Sequence, residues 1–273
     1  MKIKDHFLSQ EIFEIKETET KGVFKTSPIP QNISKYYESE DYISHHQDSG
    51  SLKEKLYKFL QSFNLQYKKT ILLDRIQKGS KVLDYGCGAG EFVKYIENDF
   101  HTFGFEPDED ARKAAQSKTS KAFIVDTLDD IEDHSLDAIT LWHVFEHIEN
   151  QDEMLEIFNK KLNDKGLLII AVPNPTSYDA KHYKEYWAAY DVPRHVYHFS
   201  KKGMENLISK KPNWKLRKIK PLVLDSYYIS MLSEKYKKSS LFWLKAVILG
   251  TISNINAFFS SQFSSLIYII EKK

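Results

Sequence analysis

The sequence predicts an α/β protein whose mostly parallel sheet is covered by helices on both faces. Short apolar runs alternate with amphipathic segments from residue 80 to residue 173. Those runs are nearly continuous hydrophobic stretches, as strands buried on both faces require. A glycine-rich turn, "YGCGAG" from Tyr85 to Gly90, follows the first of them where a strand hands over to a helix.

Residues 1 to about 30 read as a peripheral strand pair, in which "EIFEIKE" alternates in part and "KTSPIP" closes the pair with two prolines. Helical spacing follows, interrupted near Ser49 and Gly50, with Leu52, Leu56, Phe59, Leu60 and Phe63 on one face. "KVLDY" and "HTFGFE" are strands flanking the helix "GEFVKYIEN", and "AFIV" and "DAITLW" are two more strands. "QDEMLEIFNKKLNDKG" is a helix closed by Gly166, and "LLIIAVPN" is a buried strand. Ser200 caps the helix "KKGMENLISKK", an edge strand lies in "WKLRKIKPLVL", and the last strand runs from Ser265 to Lys273. Roughly 40 residues before that strand are expected to form inserted helices.

A chain of 273 residues can bury the core of one large domain, or of one domain with a sizeable attachment. Its 39 basic and 38 acidic residues leave a net charge of +1 with no single-sign arm, so no nucleic-acid partner is expected. Cys87 is the only cysteine, which excludes intrachain disulfides and thiolate metal clusters. The opening "MKIKDHFLSQ" lacks the apolar core of a signal peptide, and the cytoplasm is the expected address.

Gly86 and Gly88 permit a positive φ or the close approach of a ligand, and Gly90 permits tight contact as the next helix starts. Glu106 stands 20 residues after Gly86, at the end of the following strand. A carboxylate there can accept from both vicinal hydroxyls of a ribose, so loop and carboxylate together point to a nucleoside-containing cofactor. The spacing G-x-G-x-G differs from the G-x-G-x-x-G of dinucleotide enzymes, which makes an NAD-dependent oxidoreductase the weaker alternative. A non-enzymatic nucleoside-binding or interaction protein is the other.

Residues 70 to 210, with the terminal strand near 265 to 272, resemble the class I S-adenosylmethionine-dependent methyltransferases, whose first motif "VLDYGCGAG" matches closely. Among these the chain is similar to broad small-molecule enzymes of the type of the quinone-biosynthesis O-methyltransferases. The resemblance implies a Rossmann-like, mostly parallel seven-stranded sheet with helices on both faces. Residues 1–65 would then be an N-terminal extension and cofactor lid, and residues 66–273 the methyltransferase domain, with a helical insertion at about 225–264. S-adenosyl-L-methionine is the implied cofactor. Asp84 and the loop of Gly86, Cys87 and Gly88 would hold its methionine part, and Glu106 its ribose, with Pro107 and Asp108 beside the adenosine. Asp126 would accept from the adenine amino group, with Thr127 and Leu128 on the ring edge. Trp142 and His143, in "LWHVFEHIEN", would floor the site, and Tyr42 and His46 would reach it from the lid.

Methyl transfer from a sulfonium is an in-line displacement, so the protein mainly aligns the acceptor and removes its proton when that acceptor is a hydroxyl. His143 and His195 have the residue type for the proton, and Arg194 offers a fork to a carboxylate or phosphate; these three are the candidate catalytic residues. Substrate contact and structural pinning by Arg194 and His198 both stay open for "YWAAYDVPRHVYHFS", whose Tyr186, Trp187 and Tyr190 offer apolar surfaces. "WHVFEH" places His143, Glu146 and His147 within five residues, and in a helical turn His143 and His147 would share a face. Some similar methyltransferases bind a divalent metal here through E-x-x-E-H. With His143 first, only one carboxylate remains. The run is read as cofactor and substrate floor, with metal binding or capping as alternatives, and no metal is assigned. "NPTSY" after residue 173 is not the N-P-P-aromatic arrangement that methylates exocyclic amines, which counts against nucleic-acid methylation. The expected acceptor is a hydroxyl of a metabolite, sugar or lipid-linked compound.

From Ala246 to Ile270 the chain has 25 consecutive uncharged residues, too rich in Ser, Thr, Asn and Gln for an easy bilayer span. Lys235, Lys237, Lys238 and Lys245 surround Leu241, Phe242, Trp243 and Leu244. That mixture suits a helical cover over the substrate cleft, a dimer contact, or peripheral contact with the inner membrane surface through about 235–262 and an amphipathic acceptor.

Overall fold

The computed structural model describes residues 1–37 and 52–273, without the side chains of 52–57. Eleven described strands form two sheets. The smaller contains β1 (Lys2–Lys4), β2 (Ile12–Glu17), β3 (Val23–Ser27) and β9 (Tyr197–Phe199), in the order β1-β2-β3-β9 and antiparallel throughout. The expected N-terminal pair is therefore part of a four-stranded sheet. Its fourth strand comes from "YHF", too short to carry a periodic signal of its own.

The larger sheet has seven strands. In chain order they are β4 (Lys81–Tyr85), β5 (His101–Phe105), β6 (Phe123–Val125), β7 (Leu136–Trp142), β8 (Leu162–Pro173), β10 (Trp214–Pro221) and β11 (Ser265–Lys272). Their spatial order is β10-β11-β8-β7-β4-β5-β6. The strands from β8 to β6 are mutually parallel, and β11 is antiparallel to both neighbours. This is the Rossmann-like α/β arrangement. Strand order reverses beside β4, whose neighbours β5 and β7 both come later in the chain, so the carboxyl ends of these strands open onto a cleft.

Eight described α-helices complete the fold: α1 (Leu52–Leu73), α2 (Glu91–Ile96), α3 (Glu109–Lys118), α4 (Gln151–Lys161), α5 (Tyr178–Tyr183), α6 (Lys201–Ser209), α7 (Asp225–Tyr236) and α8 (Phe242–Ser260). The two-residue period of the strands sorts the core onto both sheet faces. Leu168, Ile170 and Val172 of β8 pack in one cluster with Phe158 of α4 and Met204 of α6. Leu167, Ile169 and Ala171 pack in the other with Ile71 and Leu72 of α1 and Phe92 of α2. A third cluster joins Ile3, Phe13 and Ile15 of the small sheet to Trp187, Tyr190 and Ile229.

Helix α4 stops at Lys161 because Leu162 is already extended, at φ −72° and ψ 140°. Gly166 lies within β8 and does not close the helix as expected; the polar "NDKG" is absorbed into a longer strand. Ser200 caps α6 as expected, its hydroxyl accepting from the Gly203 amide at 2.9 Å. The inserted pair α7 and α8 precedes β11, and it is tied down through Asp179 of α5. That fully buried carboxylate accepts from the Ser253 and Ser264 hydroxyls and from the Trp187 indole.

Candidate functional site

The turn between β4 and α2 lies at the cleft. Its Gly86 and Cys87 amides both donate to the Phe105 carbonyl at the end of β5, at 2.8 and 3.0 Å. Gly86 has φ +76°, and a Cβ there would stand 2.5 Å from Val144. Gly88, at φ +53°, faces open space, so a ligand can meet bare backbone. Cys87 contributes only main chain, since its side chain turns into a small cluster with Val93 and Ala115 and burial pushes its thiol pKa up. Glu106 closes the loop, with Oε2 accepting from the Gly88 amide at 2.8 Å and Oε1 from the Asp108 amide at 3.1 Å. Asp108 itself caps α3 by accepting from the Ala111 amide at 2.9 Å.

Asp84, at the cleft end of β4, is 3% exposed and accepts from the Thr140 hydroxyl at 2.6 Å. Burial pushes its carboxyl up to about 7, with Thr140 and Lys68 pulling the other way. Lys68 comes from α1, lies 4.6 Å from the centre of the Trp142 ring, and is pushed below the usual lysine range by its own burial. The chain leaves β7 at Trp142 and turns sharply at His143, whose φ is +59°.

That turn separates the two histidines expected to share a helical face. Only Phe145–His147 form a single 3-10 turn, and His143 lies outside it. His143 Nε2 is 2.9 Å from Asp225 of α7, and its Nδ1 is 3.4 Å from Glu146. Burial opposes a charge on this ring, yet Asp225 and Glu146 hold its pKa up to about 10. His147 instead places Nδ1 2.9 Å from the Arg194 carbonyl and 3.0 Å from the Tyr37 hydroxyl.

The loop after α5 brings His195 to the same place. Its Nδ1 is 3.0 Å from the Ala189 carbonyl, and its ring meets His147 edge-on with centroids 4.6 Å apart. Burial and the neighbouring His147 push its pKa down to about 4, so the ring is neutral at physiological pH. Arg194 presents no free fork. It is 2% exposed, donating to both Asp191 oxygens, to Asp5 and to the Tyr36 carbonyl, and it lies over the Phe7 ring. His198 lies 2.9 Å from the Thr26 hydroxyl, which donates to the His195 carbonyl at 2.6 Å. Trp187 and Tyr190, for which substrate contact and a structural role were both open, belong to the third core cluster, both being under one-tenth exposed.

The remaining sequence-derived positions lie around β6. Asp126 is largely exposed and pairs with the Arg112 guanidinium at 3.0 Å, while Arg112 also donates to the carbonyls of Glu106 and Pro107. Thr127 caps the short turn that holds Leu128. Tyr42 and His46 lie outside the described residues. Sequence reasoning missed Lys68, Asp225 and Asp5, which reach the site from other elements and carry no local signature. Asp191 was missed as well, although its place three residues before Arg194 is a signal that could have found it.

A family described as a methyltransferase domain matches residues 56–217. An uncharacterized protein of Methanocaldococcus jannaschii is 30% identical over 151 residues, which are 51% of this chain and 58% of that one, so the chain spans less than two thirds of that relative. A mycolic acid cyclopropane synthase solved with SAH and CTAB has a TM-score of 0.52 at 14% identity, over 76% of this chain and 83% of that one. Geranyl diphosphate C-methyltransferase from Streptomyces coelicolor has a TM-score of 0.50 at 11% identity, over 76% of each chain. At such identities the two structures share the fold alone.

Proposed function

Because the chain belongs to the methyltransferase domain family, we propose that it moves the methyl group of S-adenosylmethionine onto a hydroxyl of a small, amphipathic or lipid-linked acceptor. The observation that carries this reading is the pairing of Gly88 with Glu106 at 2.8 Å beside the open space over Gly88. A sulfonium nucleoside can lie against that bare backbone while the outward lone pairs of the carboxylate take the ribose hydroxyls. Asp84 would take the cofactor amino group, and Asp126 with Thr127 and Leu128 would meet the adenine.

In the reaction the acceptor oxygen bonds to the methyl carbon as the carbon–sulfur bond breaks. The electron pair stays on sulfur, giving S-adenosylhomocysteine. The hydroxyl proton is drawn off on the side of Glu146, His147 and His195, and Arg194 positions this cluster through its carbonyl contact with His147. Incubating the protein with methyl-labelled cofactor and cell extract, then identifying labelled products by mass, tests the reading. Label in an O-methylated product supports it; S-adenosylhomocysteine binding with no labelled small molecule refutes it.

The lipid-linked acceptor is favoured by α8. Leu244, Val247, Ile248 and Ile255 are exposed there, as are Phe258 and Phe259 at 74% and 89%. By length and composition α8 could cross a membrane, with a mean hydropathy of 1.3 and 28% of it buried. Its ends, however, connect to α7 and to β11 in the interior of the large sheet, so it would lie along a surface and not through it. From Lys235 to Ile270 there is no acidic residue, and Lys235, Lys237, Lys238 and Lys245 favour an anionic bilayer. Co-sedimentation with phosphatidylglycerol vesicles should exceed that with phosphatidylcholine and be lost in a Phe258→Glu, Phe259→Glu variant. Equal binding to both lipids, or dimerisation through this face seen by light scattering, would refute it.

A further inference from the structure

We propose that Glu146, His147 and His195 form a binding site for a divalent transition-metal ion, with Zn²⁺ the best match. Each of the three offers a ligand atom within 4.8 Å of the other two. Two come from the turn after β7 and one from the loop after α5, so the fold and not a local motif assembles the set.

A backbone carbonyl can only accept, so the contacts of His195 Nδ1 with the Ala189 carbonyl at 3.0 Å and of His147 Nδ1 with the Arg194 carbonyl at 2.9 Å place a proton on each Nδ1. In the neutral form each ring is thereby left with a lone pair on Nε2. Metal-ligating histidines are oriented in this way, their other N–H given to a carbonyl or carboxylate.

Between them stands Glu146, 1% exposed, and neither of its carboxylate oxygens has a hydrogen-bond partner. His195 Nε2 is 3.9 Å from Oε1, too far for a hydrogen bond. His143 approaches the same oxygen at 3.4 Å but gives its closer contact, 2.9 Å, to Asp225. Glu146, which no hydrogen bond satisfies and which the charged His143 ring approaches only to 3.4 Å, thus stands within 4.8 Å of a ligand atom of each of the other two imidazoles, and a metal ion bound there would give it the partner it lacks.

Two nitrogens and one carboxylate suit zinc or a similar first-row ion; magnesium wants oxygen ligands. Bond lengths of about 2.0–2.2 Å require the ligand atoms to close in by about 1 Å, within reach of small side-chain rotations. Three protein ligands leave a position open. On the methyltransferase reading, that position is where the acceptor oxygen would bind and be polarised.

The test uses chelator-treated, full-length protein titrated with Zn²⁺ by calorimetry and with Co²⁺ by visible absorption. One equivalent should bind per chain, with the intense ligand-field bands of a low-coordinate Co²⁺ site, and Mg²⁺ should not compete. Glu146→Gln and His195→Ala should each weaken binding by about tenfold or more, since loss even of an outer partner costs that much. S-adenosylhomocysteine affinity and thermal unfolding of the variants report whether they fold. In the unmodified protein, Zn²⁺ should also protect histidines from diethylpyrocarbonate, a readout that needs no variant. Absence of stoichiometric binding, binding that survives both substitutions, or equal binding of Mg²⁺ overturns the proposal. Zinc binding by a protein that does not bind S-adenosylhomocysteine would refute the function and leave the metal site standing.

Discussion

On the proposed reading, Asp84 gives the cofactor site a pH dependence. Burial raises its carboxyl to about 7, against the pull of Thr140 and Lys68, and Glu106 adds to the rise. Lys68 also faces Asp225, so the charged groups around Asp84 are Lys68, Glu106 and, one step away, Asp225. If Asp84 receives the ammonium group of the cofactor, binding requires the carboxylate and must expel a proton below pH 7. Affinity for S-adenosylhomocysteine should then fall about 25-fold between pH 7.5 and pH 5.5, or about 2 kcal/mol. A carboxyl at its ordinary value near 3.9 would give an almost flat profile over the same range. The sign is opposite for the fold itself: a raised carboxyl stabilises the unliganded protein when protonated, fully below about pH 4, and that stabilisation is lost as pH rises through about 7. Calorimetry in buffers of different ionisation enthalpy measures both affinity and proton release. Asp84→Asn should bind weakly with no pH dependence over this range. Flat affinity in the unmodified protein with no proton released would refute the assignment of Asp84 to the cofactor.

Glu106→Ala removes the partner of the Gly88 amide as well as the proposed ribose acceptor. It should weaken S-adenosylhomocysteine binding by about 1–3 kcal/mol, about 5- to 150-fold in Kd; unchanged calorimetric affinity would remove Glu106 from the site. Gly86→Ala forces a side chain onto φ +76° and to 2.5 Å from Val144. Urea unfolding should show a loss of about 1–3 kcal/mol, partly restored by Val144→Ala. Arg194→Met leaves Asp191 and Asp5 without their buried cation and should cost about 3–5 kcal/mol in the same assay. A loss under about 1 kcal/mol would show that the guanidinium does not hold the loop.

The parallel sheet was legible because "KVLDY", "DAITLW" and "LLIIAVPN" are apolar runs too short for helices and are buried on both faces. The turn at Gly86 and its carboxylate partner at Glu106 were legible because backbone freedom and chain spacing are local properties. What stayed hidden depends on tertiary packing. Nothing near His143 announces Asp225, 82 residues later, and nothing near Arg194 announces Asp5. The helical period expected for "HVFEH" failed at His143, where the backbone takes a positive φ. Gly166 misled because a glycine after lysines reads as a helix stop, whereas the helix ends ahead of Leu162, which already pairs with Leu136 of β7 before an irregular stretch that lasts to Leu167.

The family match ends at residue 217 and starts at residue 56, yet the small sheet lies almost wholly before it and β11 wholly after it. A recognisable family segment is therefore not a folding unit here. A fragment cut at those limits would lose Asp5, the counter-charge behind the His195 loop, and would leave β8 with a bare edge where β11 belongs. Such a fragment would present unsatisfied backbone along β8 and favour aggregation over catalysis. Transplanting this domain or searching it for minimal active pieces has to begin with both flanks in place.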